Sequence, residues 1–152
     1  MVTLNKVQVA SQMFVEAHER YSSATRDIDY IVSIVLSGAV VGIVSPLLKE
    51  QGGHTAHSLL ARIGNLIAEP GESPTHEGVF RATYNAFKHA GDDRRKISPS
   101  SDLEIQTELK REAAHMLDAA KDDFRQIKVL PDVKNGLSQQ FIGLLESDDG
   151  YA

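Results

Sequence analysis

Residues 31–48, IVSIVLSGAVVGIVSPLL, contain no charged side chain. A helix that is apolar on every side must be covered all round, by protein or by lipid, so any fold this chain adopts has to be organised about that segment. Its length reaches the about 18 residues that a spanning helix needs, and Gly38-x-x-x-Gly42 is a spacing that lets two helices approach closely. Four features oppose insertion. Ser33, Ser37, Ser45 and Pro46 interrupt the run, Asp27 and Asp29 stand just before it, and neither a Lys/Arg cluster nor an aromatic belt brackets it. The central helix of a soluble bundle is therefore the reading, with a membrane-associated protein held through residues 31–48 as an alternative. β-Branched residues crowd the run and make a strand pair the main competitor. No turn residues split it, however, and strict alternation is missing.

The rest of the chain repeats at helical period. Val7, Ala10, Phe14, Ala17 and Tyr21 recur at three- and four-residue steps and predict a first amphipathic helix over 4–22. The second runs over 27–50 and stops at Gly52-Gly53. Ala56, Leu59, Leu60, Ile63, Leu66 and Ile67 predict a third over 54–68, closed by Pro70-Gly71. Ser73-Pro74 reads as a helix start, since the serine oxygen can cap a free amide and proline at the first position sacrifices no bond. The fourth helix then covers 74–90, with Gly91 as its left-handed stop. Residues 92–100 read as a loop. Ser101-x-x-Glu104 has the form of a capping box and predicts the opening of a long helix. Its stripe is Ile105, Leu109, Ala113, Met116, Ala120, Phe124 and Ile127, ended by Pro131. A short helix about Leu137, Phe141, Leu144 and Leu145 follows. These elements describe an all-α, single-domain bundle of five to six helices over 1–152. Its core spans about 4–128, a C-terminal extension with the short helix occupies 129–146, and a frayed tail covers 147–152.

At 152 residues the chain suits one domain with one core. It has no cysteine, which excludes disulfides and thiolate metal sites. A net charge of −5 argues against a generally basic nucleic-acid binder. Segment 81–96 reverses that sign, because Arg81, Lys88, Arg94, Arg95 and Lys96 outnumber Asp92 and Asp93 there. Met1 to Ala10 lacks the charged and apolar regions of a secretory signal, so a cytoplasmic location is expected.

Within that basic segment, Arg81, Asn85, Lys88 and His89 are spaced i, i+4, i+7 and i+8, and on a continuous helix they share a face. With Arg94 and Arg95 beyond the helix end, they form the candidate ligand-binding site, and His89 is the natural general base if the site is catalytic. A structural role competes. Lys88 and His89 can bond the last free carbonyls of a helix, and Asn85 can join two helices through a buried amide bond.

The Leu36-Ser37-Gly38-Ala39 helix, the Asn85-x-x-Lys88-His89-Ala90 core and the later Ala113-Ala114 helix together resemble a family of small bacterial proteins with an N-F-F-K-H-A-D type signature. That family is distantly similar to the HEPN superfamily of nucleotide-binding helical domains. The resemblance covers about residues 5–128. It implies an all-helical fold, a tendency to dimerise and an interest in Asn85, Lys88 and His89, but no established reaction. HEPN ribonucleases carry Arg followed after four to six residues by His; here Arg81 and His89 enclose seven residues, and Arg111 and His115 enclose three. The aspartate after K-H-A is replaced by Gly91. Ribonuclease activity is therefore not expected, and a divergent ribonuclease or nucleotide-acting enzyme using His89 stands as the alternative function.

His54-x-x-His57 would place two imidazoles on one helix face, but His76, Glu72 and Glu77 are the only nearby further ligands, and solvated histidines at a helix start are the simpler reading. His18 and His115 border apolar stripes. No nucleophile elbow and no Gly-rich phosphate loop is present. The expectation is thus a homodimeric binding module without cofactor or membrane span, with a protein, RNA or nucleotide as partner. The dimer follows from the apolar surplus on the first two helices and from the resemblance.

Overall fold

The computed structural model describes residues 1–152 as seven α-helices with no named strand and 64% of residues helical. They are α1 (Lys6–Ser22), α2 (Asp27–Glu50), α3 (Ala56–Ile67), α4 (Ala82–Lys88), α5 (Leu109–Gln126), α6 (Pro131–Lys134) and α7 (Gln139–Glu146). An all-α bundle is therefore the fold.

Three long helices form its centre. α2 packs against both α1 and α5, which bury Ile34, Val40, Val41, Val44 and Leu48, while Ile31, Val32, Val35, Leu36 and Ile43 are only partly covered. By length and composition α2 could cross a membrane; in this fold its neighbours are helices. The small residues act at the crossings. Ser33 Oγ donates to the carbonyl of Ala17 in α1 at 2.9 Å, so the two backbones meet without a large side chain between them. α1 begins at Asn5, whose Oδ1 accepts from the amides of Val7 and Gln8 at 2.9 and 3.2 Å. α5 carries its predicted stripe inward from Ala113 to Ile127.

Three expectations are corrected. The segment 129–146 is no appendage, because Phe141 of α7 is fully buried and sits edge-on to Phe14 and Phe124, with ring centroids 6.0 and 4.7 Å apart. The tail 147–152 does not fray. Asp118 accepts the amides of Tyr151 and Ala152 at 2.8 and 2.9 Å, and the Tyr151 hydroxyl meets His18 Nδ1 at 2.8 Å. The capping box at Ser101 starts no helix. Ser101 Oγ is shared with Ser98 Oγ at 2.9 Å and Asp102 accepts the amide of Gly91 at 2.7 Å, so the chain runs irregularly to α5 at Leu109, leaving Ile105 exposed.

The fourth helix is also shorter than its pattern. Asn65 of α3 accepts the amide of Thr75 at 2.6 Å and donates to its carbonyl at 3.2 Å, a pair of bonds that holds residues near Pro74 extended and withdraws Thr75 from a helix. A 3-10 segment, Glu77–Arg81, and the seven residues of α4 remain.

Candidate functional site

Gly38 and Gly42 form the shallow surface of α2 on which α4 lies. A Cβ at Gly38 would fall 2.2 Å from the Tyr84 ring, so only glycine leaves room for that ring, which is buried. Arg81 follows it inward. Its Nη2 stands 3.5 Å from the carbonyl of Gly38, its Cζ lies 5.2 Å from the Tyr84 centroid, and its Nε is buried without a hydrogen-bond partner. The spacing that resembles a membrane dimerisation face thus serves as an intramolecular dock.

The predicted polar face does not form as one face. Arg81 ends the 3-10 segment and points to α2, whereas His89 lies past the helix end in extended conformation, φ −138 and ψ 147. Asn85, Lys88 and His89 are exposed. Asn85 makes no side-chain hydrogen bond, so the buried amide bridge to a neighbouring helix is absent; Tyr84 and Arg81 hold α4 instead. Lys88 Nζ covers the Tyr84 ring from 4.6 Å, a placement that shields the ring edge while leaving the ammonium in water.

Arg94 and Arg95 stand on a closed turn. Asp92 and Ile97 exchange two backbone bonds, each 2.9 Å, and Lys96 at φ 56 completes the reversal. Gly91, at φ 80, is required at the neck: a side chain there would meet the Ile97 carbonyl and the Pro99 nitrogen at 2.9 Å. It serves this turn, not the end of α4, which stops at Lys88. Two of the three carboxylates nearest in sequence are turned to the backbone, while Asp93 is exposed and free. Asp92 Oδ1 accepts the amides of Arg94 and Arg95 at 3.0 and 3.3 Å, and Asp102 takes that of Gly91. None of Lys88, Arg94, Arg95 and Lys96 enters an ion pair, and all four are exposed.

His54 and His57 part company. His54 is exposed, whereas His57 is buried against Phe80, with rings stacked at 5.7 Å. Burial, with the positive charge of Arg81 nearby, pushes the His57 imidazole down to about 4, so it is neutral and stands as a packing group, which corrects the solvated reading. No cluster of three acidic, histidine or cysteine side chains is placed to hold a metal.

Two polar nodes were not legible in the sequence. Asp123 of α5 is buried, accepts from Ser45 of α2 at 2.5 Å and from the first amide of α3, Ala56, at 2.7 Å, and so ties three helices together. Burial pushes its pKa up from the ordinary carboxylate value. The second is an open groove of about 770 Å³ between α1 and α5, walled by Tyr21, Tyr30, Arg111, His115 and Tyr151 and lying apart from the basic turn. Tyrosines dispersed over 130 residues give no sequence signal, since only the return of the tail brings Tyr151 to Tyr21, at 5.5 Å between centroids.

Compared with known protein families, curated proteins and solved structures, the chain matches none.

Proposed function

We propose that the chain is a homodimeric, cytoplasmic binding module, not an enzyme, whose exposed cations at Lys88, Arg94, Arg95 and Lys96, with His89 as a further hydrogen-bonding group, take the phosphates of single-stranded RNA. The observation that carries this reading is the set of four exposed cations, none in an ion pair, within residues 88–96 of an otherwise acidic chain, where Asp92 and Asp102 are occupied by backbone amides and Asp93 is the one free carboxylate. Charge left unneutralised in this way attracts an anion through side chains alone. No exposed aromatic ring stands on this turn to stack a base, so recognition is by charge and independent of base sequence. The similarity to HEPN-like proteins agrees with a nucleotide-bearing partner.

Arg81 is no part of this surface. Its guanidinium is committed to Gly38 and Tyr84, which removes the arginine from any Arg–His pair and speaks against the ribonuclease alternative. Binding of a labelled single-stranded RNA oligonucleotide, titrated between low and moderate salt, tests the reading. The affinity should fall with a slope of about 0.7 per contacted phosphate, and Lys88→Ala and the double change Arg94→Ala with Arg95→Ala should weaken it at unchanged melting. Binding indifferent to salt and to these changes would refute the site. Cleavage of the oligonucleotide that stops on His89→Ala would instead establish the enzyme.

A further inference from the structure

The third helix is built inside out. Its buried side chains are His57 and Ala61, and Gly64 lies against Thr75, so small groups and one imidazole face the protein. Its large side chains face water: Leu59, Leu60, Ile63, Leu66 and Ile67 are 41, 47, 55, 83 and 77% exposed. At 100° per residue these five lie within about 120° of arc, whose centre is about 125° round from the centre of the inward face. The start of the helix is tied to the bundle, by Asp123 to the amide of Ala56, and capped by Thr55 at the amide of Ser58; its far end is bonded only to the following loop, through Asn65 and Thr75, and exposure climbs in that direction.

We propose that α3 is the interface between two copies of this chain, its outward face packing on the same face of the partner about a twofold axis. The inference rests on the homodimeric reading above and names its surface, which is α3 and not the first two helices. Three observations select a second copy. The face, extended by the 62% exposed Val79 on the 3-10 segment packed beside it, presents on the order of 700 Å², more than the largest apolar patch of a typical monomer and close to the about 800 Å² per partner of a standard interface. Arg62 is the only charge in α3 and lies off the apolar arc, so two such faces meet without like-charge repulsion, whereas copies of a chain of net charge −5 repel elsewhere. One cation on the helix is too few to direct it to an acidic lipid surface. A lone helix stripe packed on itself is self-complementary, as a twofold contact requires.

Sedimentation of the full chain at tens of micromolar, wild type beside Ile63→Asp with Leu66→Asp, tests the proposal. Because both positions face water, helix content should be kept; the wild type should run as a dimer and the double variant as a monomer. The wild-type melting temperature should rise with protein concentration and that of the variant should not. The native chain has no cysteine, so Ile63→Cys adds a single thiol near the axis; it should form a disulfide-linked dimer on mild oxidation, and Lys110→Cys should not. A wild-type dimer that survives the double change, with Ile63→Cys uncross-linked, overturns the interface and leaves the dimer standing. A wild-type monomer overturns both. Partition of a monomer onto phosphatidylcholine vesicles, lost in the double variant, also overturns it and assigns the face to lipid. RNA binding by the monomeric variant is read separately, since the basic turn does not involve α3.

Discussion

The bundle of α1, α2, α5 and α7 and the edge formed by α3 and α4 follow opposite packing rules. In the bundle the large apolar side chains of the predicted stripes are turned inward, Ile105 ahead of α5 excepted, and Phe14, Phe124 and Phe141 close the centre. At the edge, α3 turns its leucines and isoleucines outward and α4 is held by one tyrosine on one glycine. The bundle derives its stability from burial within the chain. The edge is attached through polar nodes and single contacts, which is the arrangement of a region available to partners.

Changes that separate the two regions can be ranked. Phe141→Ala removes a fully buried ring from the bundle and should cost about 3–5 kcal/mol; a chemical denaturation midpoint barely moved would show that α7 is peripheral after all. Acid should act at the edge. His57 is neutral in the fold with its pKa lowered to about 4, while the unfolded chain takes up the proton near the ordinary imidazole value of 6.5. The unfolded state therefore binds more protons between these values. Stability from this group is full above pH 6.5 and is lost as pH falls toward 4, on the order of 3 kcal/mol at most. Asp123, with its pKa raised, works in the opposite sense at the low end. Urea titrations at pH 7 and pH 4.5 should show the loss in wild type and a smaller loss in His57→Phe, which keeps the stack on Phe80 without the titration.

Gly38→Ala should cost about 1–3 kcal/mol by driving a methyl into the Tyr84 ring, and hydrogen exchange should quicken in α4 while the amides of α5 keep their protection. Equal loosening of both would mean that the dock is part of the core. Asn85→Ala should change stability by no more than about 0.5 kcal/mol, because the side chain is exposed and unbonded; a melting shift as large as that of Gly38→Ala would restore the bridging role that its position in the motif suggests.

The sequence by itself determined the helical class, the position of α1, α2 and α5, and the charge reversal in 81–96, because period, composition and breakers act over a few residues. The uncharged run 31–48 was sufficient to make α2 central. Other features depended on partners distant in the chain. Asn65 keeps Thr75 out of a helix, Asp102 is drawn to Gly91, and Asp118 collects the tail. Each is a hydrogen bond whose second member no local window contains, whereas Ser101 bonds the nearby Ser98 in place of capping a helix. The candidate site divided in the same way. The exposed cations Lys88, Arg94 and Arg95 were readable as charge, but Arg81 was withdrawn from them by Gly38 and Tyr84. The amphipathic pattern of α3 was equally plain, and amphipathicity states only that a face needs cover. Whether the cover is the protein's own core was decided by the tertiary structure, in which His57 and Ala61, not the leucines, are the buried side chains of the helix.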